Sequence, residues 1–295
     1  MGQALKTSTS NQEVKDFWNL EPCGTHFIDQ PRNTPEFYQQ YAAFRYQTEW
    51  HIPELVPFAQ FADKDVLEIG LGLGTDGTQF ARHGARYTGV DLTEAAVEAT
   101  RLHFETLGYS GRFEVQNAEA LTLEDEAFDL VYSHGVLHHT ANIENTFREI
   151  NRVLKPNGRI ILMLYHRHSF NYYIRILGYM RLKVFFYTAL RHLNLREAAD
   201  GELEIHYQNY LRQGWPYFSK AEFPHHATDG AACPIAHCYS RQEVAQLLSP
   251  YFENIQFAVA HFPINKSLPR FPRSIEKAIA SRIGWYLFIY GQKRS

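Results

Sequence analysis

The run Glu68-Ile69-Gly70-Leu71-Gly72-Leu73-Gly74 constrains this chain more than any other feature. Three glycines at i, i+2 and i+4 let the backbone turn tightly and let a ligand touch it. The apolar stretch 66–69 leads into the glycines and reads as a buried strand. Residues 75–83 follow them and read as a helix closed by Gly84. Strand, glycine turn and helix in that order open a βαβ unit. The same alternation continues downstream. Strands are expected at 86–90 (ending at Asp91), 113–115, 128–133 and 159–165. Helices are expected at 93–107, capped by Thr93 and stopped by Gly108, and at 142–154, ended by Pro156 and Gly158. Such alternation means a parallel sheet with helices on its faces.

The acids around the turn select among ligands. Glu68 lies immediately before the glycines and Asp76 at the start of the helix. Asp91 ends the second strand, where doubly wound nucleotide sites grip a ribose diol. Asn117-Ala118-Glu119 ends the third strand, where an adenine would lie. A dinucleotide site needs G-x-G-x-x-G with a helix N-terminus aimed at a pyrophosphate. Here the third glycine comes one position early, and two carboxylates would face that pyrophosphate at a Coulombic cost. A ligand with ribose and adenine but no phosphate fits better.

The segments VLEIGLGLGTDG (66–77), GVDLT (89–93), NAEAL (117–121), FDLVYSHGVLHH (128–139) and REINRVLKPNGRIIL (148–162) resemble, in order, the class I S-adenosylmethionine-dependent methyltransferases. The likeness is to the small-molecule branch that includes the quinone-biosynthesis enzymes, and it covers about residues 63–166. It implies S-adenosylmethionine as cofactor. Glu68, Gly70, Gly72 and Gly74 would cradle its methionine and ribose. Asp91 would bind the ribose hydroxyls, Leu92 would pack on adenine, and Ala118 and Glu119 would meet the adenine edge. His134 would stand beside the methionine. The expected fold is α/β: a doubly wound, mostly parallel, seven-stranded sheet with an N-terminal helical lid and an inserted aromatic cap. The expected division is a lid at 1–62, a cofactor-binding core at 63–167, a substrate cap at 168–239, and a last helix with edge strands at 240–295. Those late strands, near 255–261 and 285–290, would form an antiparallel pair.

Outside the resemblance, Arg45 and Tyr46 sit on an aromatic helical stretch that the likeness makes a lid over the cofactor. Phe17-Trp18-Asn19 with Pro22-Cys23-Gly24 is either another lid element or a hydrophobic anchor. Asn171, Tyr172 and Tyr173 follow the fifth strand, at the carboxyl edge where open α/β sheets bind ligands. We expect Asn171 and Tyr173 to contact substrate, and His134, His166 and Tyr172 to be the candidates for a general base. His138-His139 reads as a pair that packs the next helix. His225, His226, Asp229, Cys233, His237 and Cys238 crowd together. Their spacing fits no standard zinc motif, and a turn explains Asp229 and Gly230, so no metal is expected. The basic aromatic stretch 175–191 reads as an amphipathic cap, with a membrane-surface element as the other reading.

Composition excludes several classes. With 29 Lys+Arg against 32 Asp+Glu the formal charge is −3, so no basic face is available for nucleic acid. Bases methylated on amino groups need Asp/Asn-Pro-Pro-Tyr after the fourth strand, where this chain has Ser133-His134-Gly135-Val136. Three cysteines are no disulfide framework, so a reducing, cytoplasmic setting is expected. Neither a signal peptide, a myristoylation pattern (Lys6 breaks it) nor a membrane span is read. The expected partner is a small-molecule acceptor, methylated on oxygen or nitrogen. Other chemistry with the same cofactor, or binding without turnover, would leave the same motifs. Oligomeric state is not readable.

Overall fold

A computed structural model describes residues 11–20, 30–31, 34–198, 201–262 and 271–294. Pro22-Cys23-Gly24 lies outside them. The chain begins with α1 (Asn11–Leu20), α2 (Pro35–Thr48) and the short α3 (Ile52–Leu55). Thr34 accepts a hydrogen bond from Phe37 N and Pro35 takes the first helical position, so α2 starts where its cap dictates.

The alternating core follows: β1 (Asp65–Ile69), α4 (Thr75–Arg82), β2 (Arg86–Asp91), α5 (Glu94–Leu107), β3 (Arg112–Val115), β4 (Phe128–His134), α6 (Ile143–Val153) and β5 (Leu154–His166). Thr93 caps α5 through Ala96 N, and Gly108 ends it at φ 70°. Asn142 caps α6 through Asn145 N. The remainder is the π-helical segment Asn171–Met180, α7 (Arg181–His192), α8 (Glu202–Gln213), β6 (Cys238–Tyr239), α9 (Arg241–Leu248), β7 (Phe252–Ala260), α10 (Arg273–Ile283) and β8 (Tyr286–Lys293). The strand order is β3-β2-β1-β4-β5-β8-β7, with β6 beside the end of β5. β1 to β5 run parallel, and β8 pairs antiparallel with both β5 and β7. This is the expected Rossmann-like sheet with an antiparallel late pair.

Side-chain alternation divides the core across the sheet. Leu67, Ile69, Val131, Phe147 and Leu162 pack in one cluster, and Val66, Phe80, Leu130 and Phe104 in another. Each fully buried side chain of this size contributes about 1.5–3 kcal/mol. The order reverses between β1 and β4, so the crevice opens between their carboxyl ends. The glycine turn and His134 stand on its two sides.

One reading is corrected, and two helices are added to those expected. Pro156 and Gly158 do not follow α6 as a loop; β5 starts directly at Leu154 and contains both. Its pairing with β4 shifts between Phe128 and Leu130, and Asn157 has φ 63°, an irregularity that tolerates a proline. The turn-rich stretch after 197 contains the helix α8. Its inner face is built from Leu203, His206, Tyr207 and Tyr210 at helical spacing, where polar ring residues disguise an apolar stripe. The basic stretch before β8 contains α10, whose Arg273 lies 4.8 Å from the centroid of the Trp50 ring.

The segment 171–192 packs Ile176, Leu177 and Val184 against Tyr165, Tyr217 and Trp285, and exposes Tyr179, Leu182 and Phe186 on its other side. Among the described residues no helix is long and apolar enough to cross a membrane.

Candidate active site

The crevice is one cavity of about 710 Å³, walled by the glycine turn, the ends of β1, β2 and β4, helices α1 and α2, and Asp229 from the loop before β6. Gly70 has φ 84°, and a Cβ there would stand 2.1 Å from Val136 Cγ2. Gly72 has φ 54°, yet a Cβ there would meet nothing within 4 Å, so it would occupy the space a ligand needs. Asp91 fastens the turn: its carboxylate accepts from Leu71 N, Thr93 N and Thr93 Oγ1, each at 2.8 Å. Ser133 Oγ donates to Ile69 O at 2.7 Å and ties β4 to the same turn. Burial raises the Asp91 carboxyl above its ordinary range despite these donors.

Glu68 lies beneath the turn and accepts from Tyr87 Oη at 2.5 Å. Burial, and then the nearby Asp76 charge, push its carboxyl well above the ordinary range. Asp76 behaves oppositely. Burial alone would raise it, but Arg45 lies 2.7 Å from its Oδ2 and outweighs that effect. Tyr132 Oη and Tyr46 Oη also donate to Asp76, at 2.8 and 3.0 Å. Arg45 spans to Glu49 at 3.1 Å, and Tyr286 Oη donates to Glu49 at 2.7 Å. Glu49 is pulled down to about 2, burial opposing and Arg45 prevailing.

Among the described residues Arg45 is the only Lys or Arg lining the cavity, against Glu49, Glu68, Asp76, Asp91, Glu98, Glu119 and Asp229. That set repels a pyrophosphate and favours a ligand that carries positive charge. S-adenosylmethionine, with a sulfonium, an ammonium and no phosphate, fits both the charge and the opening at Gly72.

Gly70, Gly72, Asp91, Leu92, Ala118, Glu119 and His134 come together on the cavity wall, as do Arg45 and Glu68. His134 is positioned by Arg45, whose guanidinium lies 3.4 Å from Nδ1; its Nε2 has no partner. Burial lowers its pKa, which keeps the ring neutral near pH 7. Tyr46 supports Asp76 from behind the wall, and Gly74 sits at the start of α4, where a Cβ would meet Thr100.

The remaining expectations are corrected. His166 is buried off the cavity, with Nδ1 donating to Gly284 O at 3.1 Å. Met163 and Tyr165 line the cavity, so the alternation of β5 turns His166 to the other face. Tyr172 packs into the cap's own core beside Ile176 and Leu177, Asn171 accepts from Arg175, and Tyr173 is exposed. None of the three reaches the cavity, because the chain turns away after β5.

The cavity wall carries instead Trp18, His139, Tyr165 and Asp229. Trp18 meets the His139 ring edge-on at 5.0 Å. Tyr165 Oη donates to Asp229 Oδ1 at 2.7 Å. His225 and His226 bond instead to backbone within their own loop, and Cys233 Sγ donates to Ile235 O. Only Asp229 leaves that crowd for the cavity. The signal for it was weak: an acid in a glycine turn reads first as turn chemistry.

Residues 67–162 match the family described as a methyltransferase domain. A ubiquinone biosynthesis O-methyltransferase of Nitrosospira multiformis is 30% identical over 121 residues, which is 41% of this chain and 51% of that protein. The chain thus spans about half the length of the curated relatives it matches. An S-adenosylmethionine-dependent methyltransferase of Methanosarcina mazei superposes with TM-score 0.52 at 17% identity, covering 82% of this chain and 97% of that one. The [4+2]-cyclase SpnF superposes with TM-score 0.52 at 15% identity, covering 96% of each chain. At these identities the two structures bear on the fold alone. The motif order, the Rossmann-like sheet and the family match together make this chain the carrier of a class I S-adenosylmethionine-dependent methyltransferase domain, with S-adenosylmethionine as its cofactor.

Proposed function

We propose that the chain transfers a methyl group to an oxygen or nitrogen of a small-molecule acceptor. The carrying observation is the continuity of one cavity, from the Gly70–Gly72 turn and Asp91 to the wall of Trp18, His139, Tyr165 and Asp229. S-adenosylmethionine supplies a methyl already activated on a sulfonium. The chain therefore has to position two ligands and exclude water, which is where most of the rate arises. Main chain at Gly70 and Gly72 with Asp91, Leu92, Ala118 and Glu119 forms the cofactor end. Arg45, charge-paired on two sides, holds α2 over it. Neutral His134 accepts from Arg45 at Nδ1, so its unpartnered Nε2 carries the ring proton and offers a hydrogen-bond donor at that end.

The acidic cavity and net charge of −3 support a small acceptor over nucleic acid. The three cysteines support a cytoplasmic setting.

Calorimetric titration with S-adenosylmethionine, and separately with NADH, tests the reading. Micromolar binding of S-adenosylmethionine alone, lost in Asp91→Ala, supports it; NADH binding alone overturns it. Mass spectrometry of incubations with candidate acceptors then seeks products heavier by one methylene. A gain equal to the aminocarboxypropyl arm would move the assignment to arm transfer, and cofactor binding without any product across the screen would move it to a binding protein.

A further inference from the structure

At and just behind the cavity wall lies a group of polar atoms with nothing to bond to. His138 Nδ1 and Nε2, His139 Nε2 and Asp229 Oδ2 are all buried and unpartnered. One ligand atom from each of these three residues lies within 4.8 Å of the others. The tautomer of His139 follows from its surroundings. Its Nδ1 lies 2.6 Å from Ile235 O, and a carbonyl only accepts, so Nδ1 carries the proton. The Nε2 lone pair therefore points at the Asp229 carboxylate, 3.7 Å away. Two acceptors face each other with no donor between them. Burial makes that arrangement costly unless something positive or hydrogen-bearing sits there.

We propose that His138, His139 and Asp229 bind a divalent transition-metal ion of the zinc class. Two imidazoles and one carboxylate suit zinc, manganese, iron, cobalt or nickel better than magnesium or calcium. Bonds of about 2.0–2.1 Å place ligands roughly 3–4 Å apart, so closing the site takes a small inward movement of each side chain. The outer layer that such sites use is in place. Ile235 O orients His139, and Tyr165 Oη holds the second carboxylate oxygen at 2.7 Å. His139 and Asp229 both line the cavity, so a fourth coordination position opens into it. Three protein ligands with one open position is the arrangement of a catalytic rather than a structural ion. The role, which rests on the proposed methyl transfer, is to hold an acceptor oxygen or nitrogen at that position and make its proton more acidic. The binding site itself does not rest on that reading.

The test needs no acceptor. The full chain is stripped with chelator and titrated with Zn²⁺ by calorimetry, and with Co²⁺ by visible absorption. One ion per chain at micromolar affinity or better is expected, with cobalt d–d bands showing nitrogen and oxygen ligation. His139→Asn and Asp229→Asn should each weaken binding by about a hundredfold or more, and the gentler Tyr165→Phe by roughly tenfold. His225→Asn, in the same loop but off the site, should leave it unchanged. Circular dichroism and S-adenosylmethionine titration of every variant show that the fold survives. If His139→Asn does not fold, Tyr165→Phe and Asp229→Asn decide. Absence of stoichiometric uptake would mean that water or a protonated imidazole bridges the acceptors, and would overturn the proposal. So would uptake that survives His139→Asn and Asp229→Asn, or falls in His225→Asn. Metal uptake without S-adenosylmethionine binding would sink the methyltransfer reading and leave the metal site standing.

Discussion

The two ends of the cavity are built from opposite materials. At the cofactor end, Asp91 accepts three hydrogen bonds from Leu71 and Thr93, in two successive βα turns, and Asp76 is held by Arg45, Tyr46 and Tyr132. At the wall proposed to bind metal, His138, His139 and Asp229 leave ring nitrogens and an oxygen without partners. The first end joins residues 2 to 56 positions apart; the second joins His139 to Asp229, some 90 positions apart. Buried polar groups without partners destabilise a fold, so they persist where function uses them. The difference teaches that the carboxylates of the cofactor end have their partners within the chain, whereas the proposed metal site would be completed by what binds there.

Breaking the cofactor end should produce the largest effects. Arg45→Ala strands the buried Asp76 carboxylate, and a stability loss of about 3–5 kcal/mol is expected in chemical denaturation. The pH profile checks the cause. Glu49 is held at about 2 against its ordinary 4.5, so its contribution is fully present above pH 4.5 and is lost as pH falls toward 2. Asp76, also depressed, acts in the same sense. Wild-type stability should fall steeply over that acidic range and the Arg45→Ala protein much less; equal slopes would refute the pairing. Gly70→Ala combines a contact at 2.1 Å with a left-handed backbone, for roughly 2–5 kcal/mol and loss of S-adenosylmethionine binding. Adding Val136→Ala should recover only part, because Val136 Cβ is itself 2.7 Å from the new atom.

Glu68→Gln should have a smaller effect, visible in pH. The raised Glu68 carboxyl contributes stability that is present below its ordinary 4.5 and lost as pH rises through its folded value. Glutamine mimics the protonated form, so the variant should gain on wild type as pH rises; a constant difference across pH would count against the raised carboxyl. At the proposed metal site the sign reverses. Asp229→Asn places an amide donor opposite His139 Nε2, and metal-free protein should gain about 1 kcal/mol, read as a higher melting temperature. A loss there would show that the two acceptors are already bridged by a proton.

Legibility followed the range of the interactions. The glycine turn and the Thr93 cap are set by residues within a few positions, and both were readable. Arg45 and Asp76 were each singled out, but not as partners, since they lie 31 positions apart, and Glu49 was not singled out. At β5 a single step of strand parity separated the expected His166 from Tyr165, which lines the cavity. α8 was hidden because its buried stripe is made of histidine and tyrosine rather than aliphatic residues.

The sequence by itself determined the alternating α/β core, the turn that admits a ligand and the negative charge around it. Those features are local: backbone φ at glycine, hydrogen bonds of a cap, and strand and helix periods. Only the tertiary structure decided which side of β5 faces the cavity. It also brought Trp18, His139 and Asp229 to one wall and left His139 Nε2 and Asp229 Oδ2 unmatched. Those outcomes depend on long-range packing of α1, the sheet and the cap, where no short-range rule links the residues that meet.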